Sequence, residues 1–153
     1  MDKRFYQSPI GMLEIIGDDE GVISILFTED EKSPLEPDFS SPVPVKECYD
    51  QLDEYFQGKR STFTFTIKFK GTPFQESVWR ALTEIPFGET WSYKELAQFI
   101  GNEKAIRAVG TTNGKNLLSI VVPCHRVIGS NGKLTGYSGG LWRKKWLLEH
   151  EAK

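Results

Sequence analysis

The stretch SYKELAQFIGNEKAIRAVG, Ser92 to Gly110, decides the architecture of the second half of the chain. Ser92 with Glu95 three residues on is a capping box, so a helix starts at Tyr93. Gly101-Asn102 is a tight turn, and EKAIRAVGTTNGK carries a second short helix. Two short helices about a glycine turn have the outline of a helix-turn-helix. Any helical hairpin shares that outline, so its surroundings have to decide whether it faces a nucleic acid.

Charge is the first such clue. The whole chain of 153 residues has a net charge of −2, which argues against a polyanionic partner. Residues 1–69, however, hold 7 Lys/Arg and 14 Asp/Glu, a net of −7; residues 70–153 hold 12 and 7, a net of +5. An acidic half and a basic half suggest that only the second meets a polyanion, or else that surface charge is merely uneven. We therefore expect two domains, 1–69 and 70–153.

Working outward, GTPFQESVWRALTEIPFGET supplies a further helix. Thr72 is its N-cap, Pro73 its first residue, and Phe74, Val78, Ala81, Leu82 and Ile85 form one face. In the acidic half, RFYQSPIGMLEIIGDDEGVISILFTED reads as three strands punctuated by turns, and EKSPLEPDFSSPVP as a loop. VKECYDQLDEYFQGK is a helix with Val45, Cys48, Tyr49, Leu52 and Phe56 on its apolar stripe, stopped by Gly58; Cys48 is expected in the core. TFTFTIKFK alternates, which predicts a strand with Phe63, Phe65, Ile67 and Phe69 on one face. The start of the chain lacks an apolar run of signal-peptide length, and no segment approaches a membrane span. With two cysteines far apart, reduced thiols and a cytoplasmic location are expected.

Downstream, LLSIVVP is too short and β-branched for a helix and is expected as buried strand or extended chain. It leads into Pro123-Cys124-His125, which unites one of two cysteines with one of two histidines. A thiol becomes nucleophilic when a neighbour favours the thiolate. Adjacent residues in extended chain point apart, so the pair can share a site only at a bend or through a water. In LWRKKWLLEHEAK, Glu151 shares a helix face with Leu147 and Leu148, a costly position for an acid without a partner, and a buried histidine would be one. Competing possibilities are an inert core thiol and a zinc site. The spacing of Cys48, Cys124, His125 and His150 fits no compact metal framework.

IVVPCHRVIGSNGKLTGYSGGLWRKKWLLEHE, together with SYKELA and AIRAVG, resembles the O6-alkylguanine-DNA alkyltransferases across residues 70–153. The strand-rich start is similar to that family too. The resemblance implies an α+β fold: an N-terminal antiparallel sheet with a helix, ribonuclease H-like, and a mainly helical C-terminal winged helix-turn-helix domain. It implies direct-reversal repair, in which the alkyl group of O6-alkylguanine, and of O4-alkylthymine by extension, moves irreversibly to Cys124. His125 is then the base acting through a water, oriented by Glu151, and Asn116 helps hold the network. Tyr93 and the Cys124 and Val127 carbonyls bind the flipped guanine, with Tyr137 and Ser138 near its reacting oxygen. Arg107 fills the base stack, and Ala105, Ala108, Gly110 and Thr111 lie on the helix entering the minor groove. Small residues there suit close approach to DNA or close helix packing.

The same resemblance implies no cofactor, no metal, a monomer, and double-stranded DNA containing alkylated guanine as partner. Three positions depart from the family pattern: Leu117 stands where proline is usual, and Thr111 and Thr112 replace small residues, which puts two branched side chains near the pocket rim or the duplex. The alternative is a non-enzymatic binder of alkylated DNA, of the alkyltransferase-like type; such proteins lack the cysteine that Cys124 provides here.

Overall fold

The computed structural model describes all 153 residues, which divide into two compact units: Met1–Lys70 with Leu117–Ser119, and Gly71–Asn116 with Ile120–Lys153. The fold is α+β.

The first unit is a meander of three antiparallel strands, β1 (Asp2–Ser8), β2 (Gly11–Asp18) and β3 (Gly21–Thr28), with helix α1 (Val43–Phe56) against it. Leu13 and Ile15 of β2, Val22 and Ile25 of β3, and Val45, Cys48, Leu52 and Tyr55 of α1 are fully buried. Cys48 is thus a core residue, and burial pushes its thiol well above the usual range. The register of β2 and β3 slips between Ile16 and Gly17. A side chain at Gly17 would sit 2.9 Å from the Gly21 carbonyl oxygen and the Val22 Cα, so the bulge requires glycine.

TFTFTIKFK, expected as a strand, is not one, and LLSIVVP, expected as buried strand or extended chain, turns over residues 119–121. Residues 62–70 contribute a single parallel bridge, Ile67 to Val22, and residues 117–123 a single one, Leu118 to Ile25. The reason is shared occupancy of one edge of β3. Val22 N–H donates to the Thr66 carbonyl and accepts through its own carbonyl from Lys68 N–H. Three residues on, Ile25 N–H donates to the Leu117 carbonyl while Ser119 N–H donates to that of Ile25. Neither segment has room to extend a ladder. The Gln51 side chain takes over instead, accepting from Thr64 N–H at 2.9 Å and donating to Thr64 Oγ1 at 2.8 Å.

The second unit is mainly helical: α2 (Pro73–Leu82), α3 (Tyr93–Phe99), α4 (Ile106–Asn113) and α5 (Leu141–Glu151). Thr72 and Ser92 head complete capping boxes on α2 and α3, each worth about 1 kcal/mol. α3 and α4 form the helix-turn-helix, with Gly101 at φ +79° between them and a 3-10 turn, Glu103–Ala105, opening the second helix. The strands β4 (Trp91–Ser92) and β5 (Val127–Ile128) are two residues each and pair in parallel, Trp91 with Val127 and Ser92 with Ile128. That pairing sets the start of α3 beside the chain that leaves Cys124. Trp79, absent from the expected face of α2, is buried and donates from its indole N–H to the Thr112 carbonyl at 3.0 Å, tying α2 to the last turn of α4.

Candidate active site

Cys124 and His125 stand on a 3-10 turn, Cys124–Arg126, buried throughout. The chain reverses just before it, in a turn over residues 119–121 rather than an extended run. Ile120 there has φ 72°, a conformation that costs a β-branched residue about 1–3 kcal/mol and is held by its burial. Strain of this kind gathers beside functional residues.

His125 is fully buried, and its Nε2 lies 2.8 Å from Glu151 Oε2. Arg126 donates to the same carboxylate, Nε to Oε1 at 2.8 Å and Nη2 to Oε2 at 3.2 Å, and to the Ile85 carbonyl at 2.7 Å. Burial pushes the Glu151 carboxyl up, but the His125 and Arg126 donors outweigh it and hold it at about 2. For His125 burial dominates: its pKa falls below 6.5 although Glu151 pulls it upward. The pair is therefore a neutral imidazole donating to an ionised carboxylate whose charge Arg126 already balances. With the proton on Nε2, the basic lone pair sits on Nδ1, a buried atom without a protein partner.

Cys124 is 5% exposed. Burial raises its thiol, opposed by a hydrogen bond from the Asn116 side chain and by the charge of Lys144. Asn116 is fixed in turn by donating from Nδ2 to the Val122 carbonyl at 2.8 Å. Lys144, on α5, is fully buried and donates from Nζ to the Val127 carbonyl at 2.6 Å and the Thr135 carbonyl at 2.7 Å. Burial lowers it to about 8. Its two bonds fasten the Gly-rich loop over residues 129–140 to the segment after Cys124.

Tyr93, the first residue of α3, is half-buried, with its hydroxyl 3.3 Å from Thr135 Oγ1. A side chain at Gly110 would meet the Tyr93 ring at 3.7 Å, so α4 passes close to it. Tyr137 is half-buried and Ser138 exposed in the loop. On α4, Arg107, Ala108 and Thr111 are exposed on one side, Gly110 and the preceding Ala105 are partly so, and Val109, Thr112 and Asn113 are buried on the other. Thr112 therefore faces the core and not the rim or a duplex, because its carbonyl receives the Trp79 indole and its side chain lies on the packed face. The Thr111 hydroxyl bonds back to the Arg107 carbonyl at 3.1 Å.

Three buried cations escaped the sequence analysis: Arg126, Arg143 and Lys144. Lys144 was within reach, since Lys144, Leu147 and Glu151 recur at i, i+3 and i+7 on one helix face. Arg143, which donates to the Gly139 carbonyl at 2.9 Å and lies against the Trp142 ring, gave no such signal. Asn113 was also missed; its Nδ2 donates to the Cys124 carbonyl at 3.3 Å. The structure has no cluster of side chains suited to a metal ion, and no helix is long and apolar enough to cross a membrane.

Residues 73–153 match the 6-O-methylguanine DNA methyltransferase DNA-binding domain, and residues 1–69 the ribonuclease-like domain of the same enzymes. A methylated-DNA–protein-cysteine methyltransferase of Methanosarcina acetivorans is 47% identical over 148 residues, covering 95% of each chain. The protein of that name from Mycobacterium tuberculosis is 45% identical, over 97% of this chain and 90% of its own. The crystal structure of the Mycobacterium tuberculosis O6-methylguanine methyltransferase superposes with a TM-score of 0.85 at 45% identity, covering 98% of this chain and 92% of that one. A structure of the same mycobacterial protein in complex with DNA gives a TM-score of 0.86 at 44% identity, with the same coverage. This chain belongs to the 6-O-methylguanine DNA methyltransferase family.

Proposed function

We propose that the protein repairs DNA by direct reversal, moving the alkyl group of O6-alkylguanine to its own Cys124, once per molecule. The observation that carries this is a buried thiol, Cys124, followed in the chain by a buried imidazole, His125, whose Nε2 is fixed 2.8 Å from an ionised carboxylate, Glu151. The thiolate sulfur attacks the alkyl carbon, the S–C bond forms as the C–O6 bond breaks, and the electron pair leaves on O6. Guanine takes up a proton and is restored. Nδ1 of His125 accepts the thiol proton through a bridging water. Glu151 orients the ring and stabilises the imidazolium that forms. A thioether has no good leaving group, so the thiol is not regenerated and the protein is consumed.

Lesion-bearing double-stranded DNA is the partner, met by a monomer through the minor groove with α4, since small exposed residues beside Arg107 permit close approach. The base leaves the stack to reach a buried thiol, and Arg107 takes its place. Tyr93 binds the flipped guanine, and the carbonyls of Cys124 and Val127 face its exocyclic amine. Tyr137 and Ser138 donate toward the oxygen as charge develops on it. Catalysis needs no cofactor, because the substrate supplies its own leaving group. Cys124→Ser tests the assignment: the variant is expected to bind O6-methylguanine duplex and transfer nothing, and unaltered repair would refute it.

A further inference from the structure

We propose that Arg126 is a positioning residue for the transfer: by matching the charge of Glu151, it lets that carboxylate fix the His125 ring without loading the ring with a second proton. This rests on the function proposed above. His125, Arg126 and Glu151 are all buried. Although adjacent in the chain, His125 and Arg126 converge on one carboxylate. Glu151 Oε2 meets His125 Nε2 at 2.8 Å and Arg126 Nη2 at 3.2 Å, and Oε1 accepts from Arg126 Nε at 2.8 Å. The chain beyond α2 holds the guanidinium as well: Arg126 Nη1 donates to the Ile85 carbonyl at 2.7 Å, and its Cζ lies 5.7 Å from the centre of the Phe87 ring.

Stability alone does not explain this arrangement. A buried ion pair gains little over apolar side chains of the same volume, because both charges have to be stripped of water. The reaction does explain it. A histidine base needs an orienting acceptor on one ring nitrogen and a lone pair on the other. A carboxylate without a counter-charge satisfies the first need and defeats the second, since a buried anion draws a proton onto the ring and makes it imidazolium. With Arg126 in place, Glu151 and Arg126 together carry no net charge, and Nδ1 keeps the lone pair that takes the thiol proton. The charged groups acting on the ring are Glu151 and Lys144 of α5 and Arg126 of the turn, with the Cys124 thiol preceding it. Burial does most to keep the ring neutral; Arg126 and Lys144 act in the same sense, and Glu151 opposes them. Lys144 directs its ammonium to the Val127 and Thr135 carbonyls, whereas Arg126 contacts the carboxylate itself.

The test is the pH profile of single-turnover transfer from a duplex carrying O6-methylguanine, read beside the titration of the His125 ring by NMR. In the unmodified protein both are expected to change only below pH 6.5. Arg126→Gln keeps a donor for Glu151 and removes the charge, so the acid limb and the ring titration should both move upward by about one to three pH units. In acid, transfer then drops by about tenfold per unit of that shift and recovers as pH rises. An arginine that only holds the fold would lower the rate by one factor at every pH and leave limb and titration in place, which overturns the proposal. Melting of each free variant checks folding. Should Arg126→Gln not fold, Arg126→Lys decides, because it keeps the charge and loses the planar fork. A limb and titration that stay in place in Arg126→Lys support the proposal, and an upward move counts against it. Absence of transfer by the unmodified protein would overturn the underlying function, whereas the His125 titration tests Arg126 on its own.

Discussion

Glu151→Gln is the substitution whose consequence the structure fixes most closely. Both carboxylate oxygens of Glu151 accept: Oε1 from Arg126 Nε, Oε2 from Arg126 Nη2 and His125 Nε2. Glutamine has nearly the same shape, so no cavity opens, but one acceptor becomes an NH2 group that must face a donor. It also leaves the Arg126 guanidinium buried without a counter-charge. A carboxyl held at about 2 in the folded protein and returning to 4.5 when unfolded contributes about 3 kcal/mol at neutral pH. That agrees with the ~3–5 kcal/mol cost of removing one partner of a buried ion pair. Converted for a chain of this size, Tm should fall by about 6–12 °C near pH 7. The sign with pH follows from the depressed value. Glu151's contribution is fully present above the ordinary carboxyl range and fades as pH falls from 4.5 toward about 2. Thermal melts of both proteins, followed by circular dichroism from about pH 7 to pH 3, should therefore draw together in acid, with about two fifths of the difference left at pH 3. A Tm loss under about 2 °C near pH 7, or a gap of equal size at both ends of the range, would falsify the ionised, doubly bonded carboxylate described here.

His125 should set the acid limb of the reaction. Burial lowers its pKa below 6.5, so single-turnover transfer should hold level from neutral pH down to that value and decline only beneath it; a decline beginning above 6.5 contradicts a neutral, buried base. Lys144→Met removes the charge that favours the Cys124 thiolate, so the pH midpoint of Cys124 carboxymethylation, followed by peptide mass, should move upward; an unmoved midpoint makes Lys144 a loop fastener only. Arg107→Ala should slow repair of duplex DNA by about tenfold or more, since extruding a paired base costs a few kcal/mol, yet scarcely change transfer from the free O6-methylguanine base. Equal loss on both substrates would remove Arg107 from base flipping.

Local signals in the sequence were faithful where each helix or turn is decided by its own residues. The Thr72 and Ser92 capping boxes, the Gly101 turn and the apolar stripe of α1 stand as the spacing predicts. Glu151 on a leucine face identified its own buried partner, because an acid there is too costly alone. What failed depended on distant competition. TFTFTIKFK alternates like a strand, but β3 divides one edge between it and Leu117–Ser119, and no periodicity within either segment records that division. The apolar run before Pro123 likewise turns at Ile120 and is not extended. Thr112 was misplaced because a residue-by-residue comparison says nothing of which helix side faces Trp79. The burial of Arg126 becomes visible only with its acceptors, Glu151 and the Ile85 carbonyl, which no spacing in the sequence places beside it.

The central claim is that Cys124 is a single-use alkyl acceptor. Incubating the intact protein with excess duplex carrying one O6-methylguanine, then weighing the protein and mapping its peptides, tests it most directly. The expected result is a gain of one methyl group per chain, confined to Cys124 and not to Cys48, with repair stopping once every chain is modified. Binding without a mass change, methyl on another residue, or more lesions repaired than protein molecules present would contradict it.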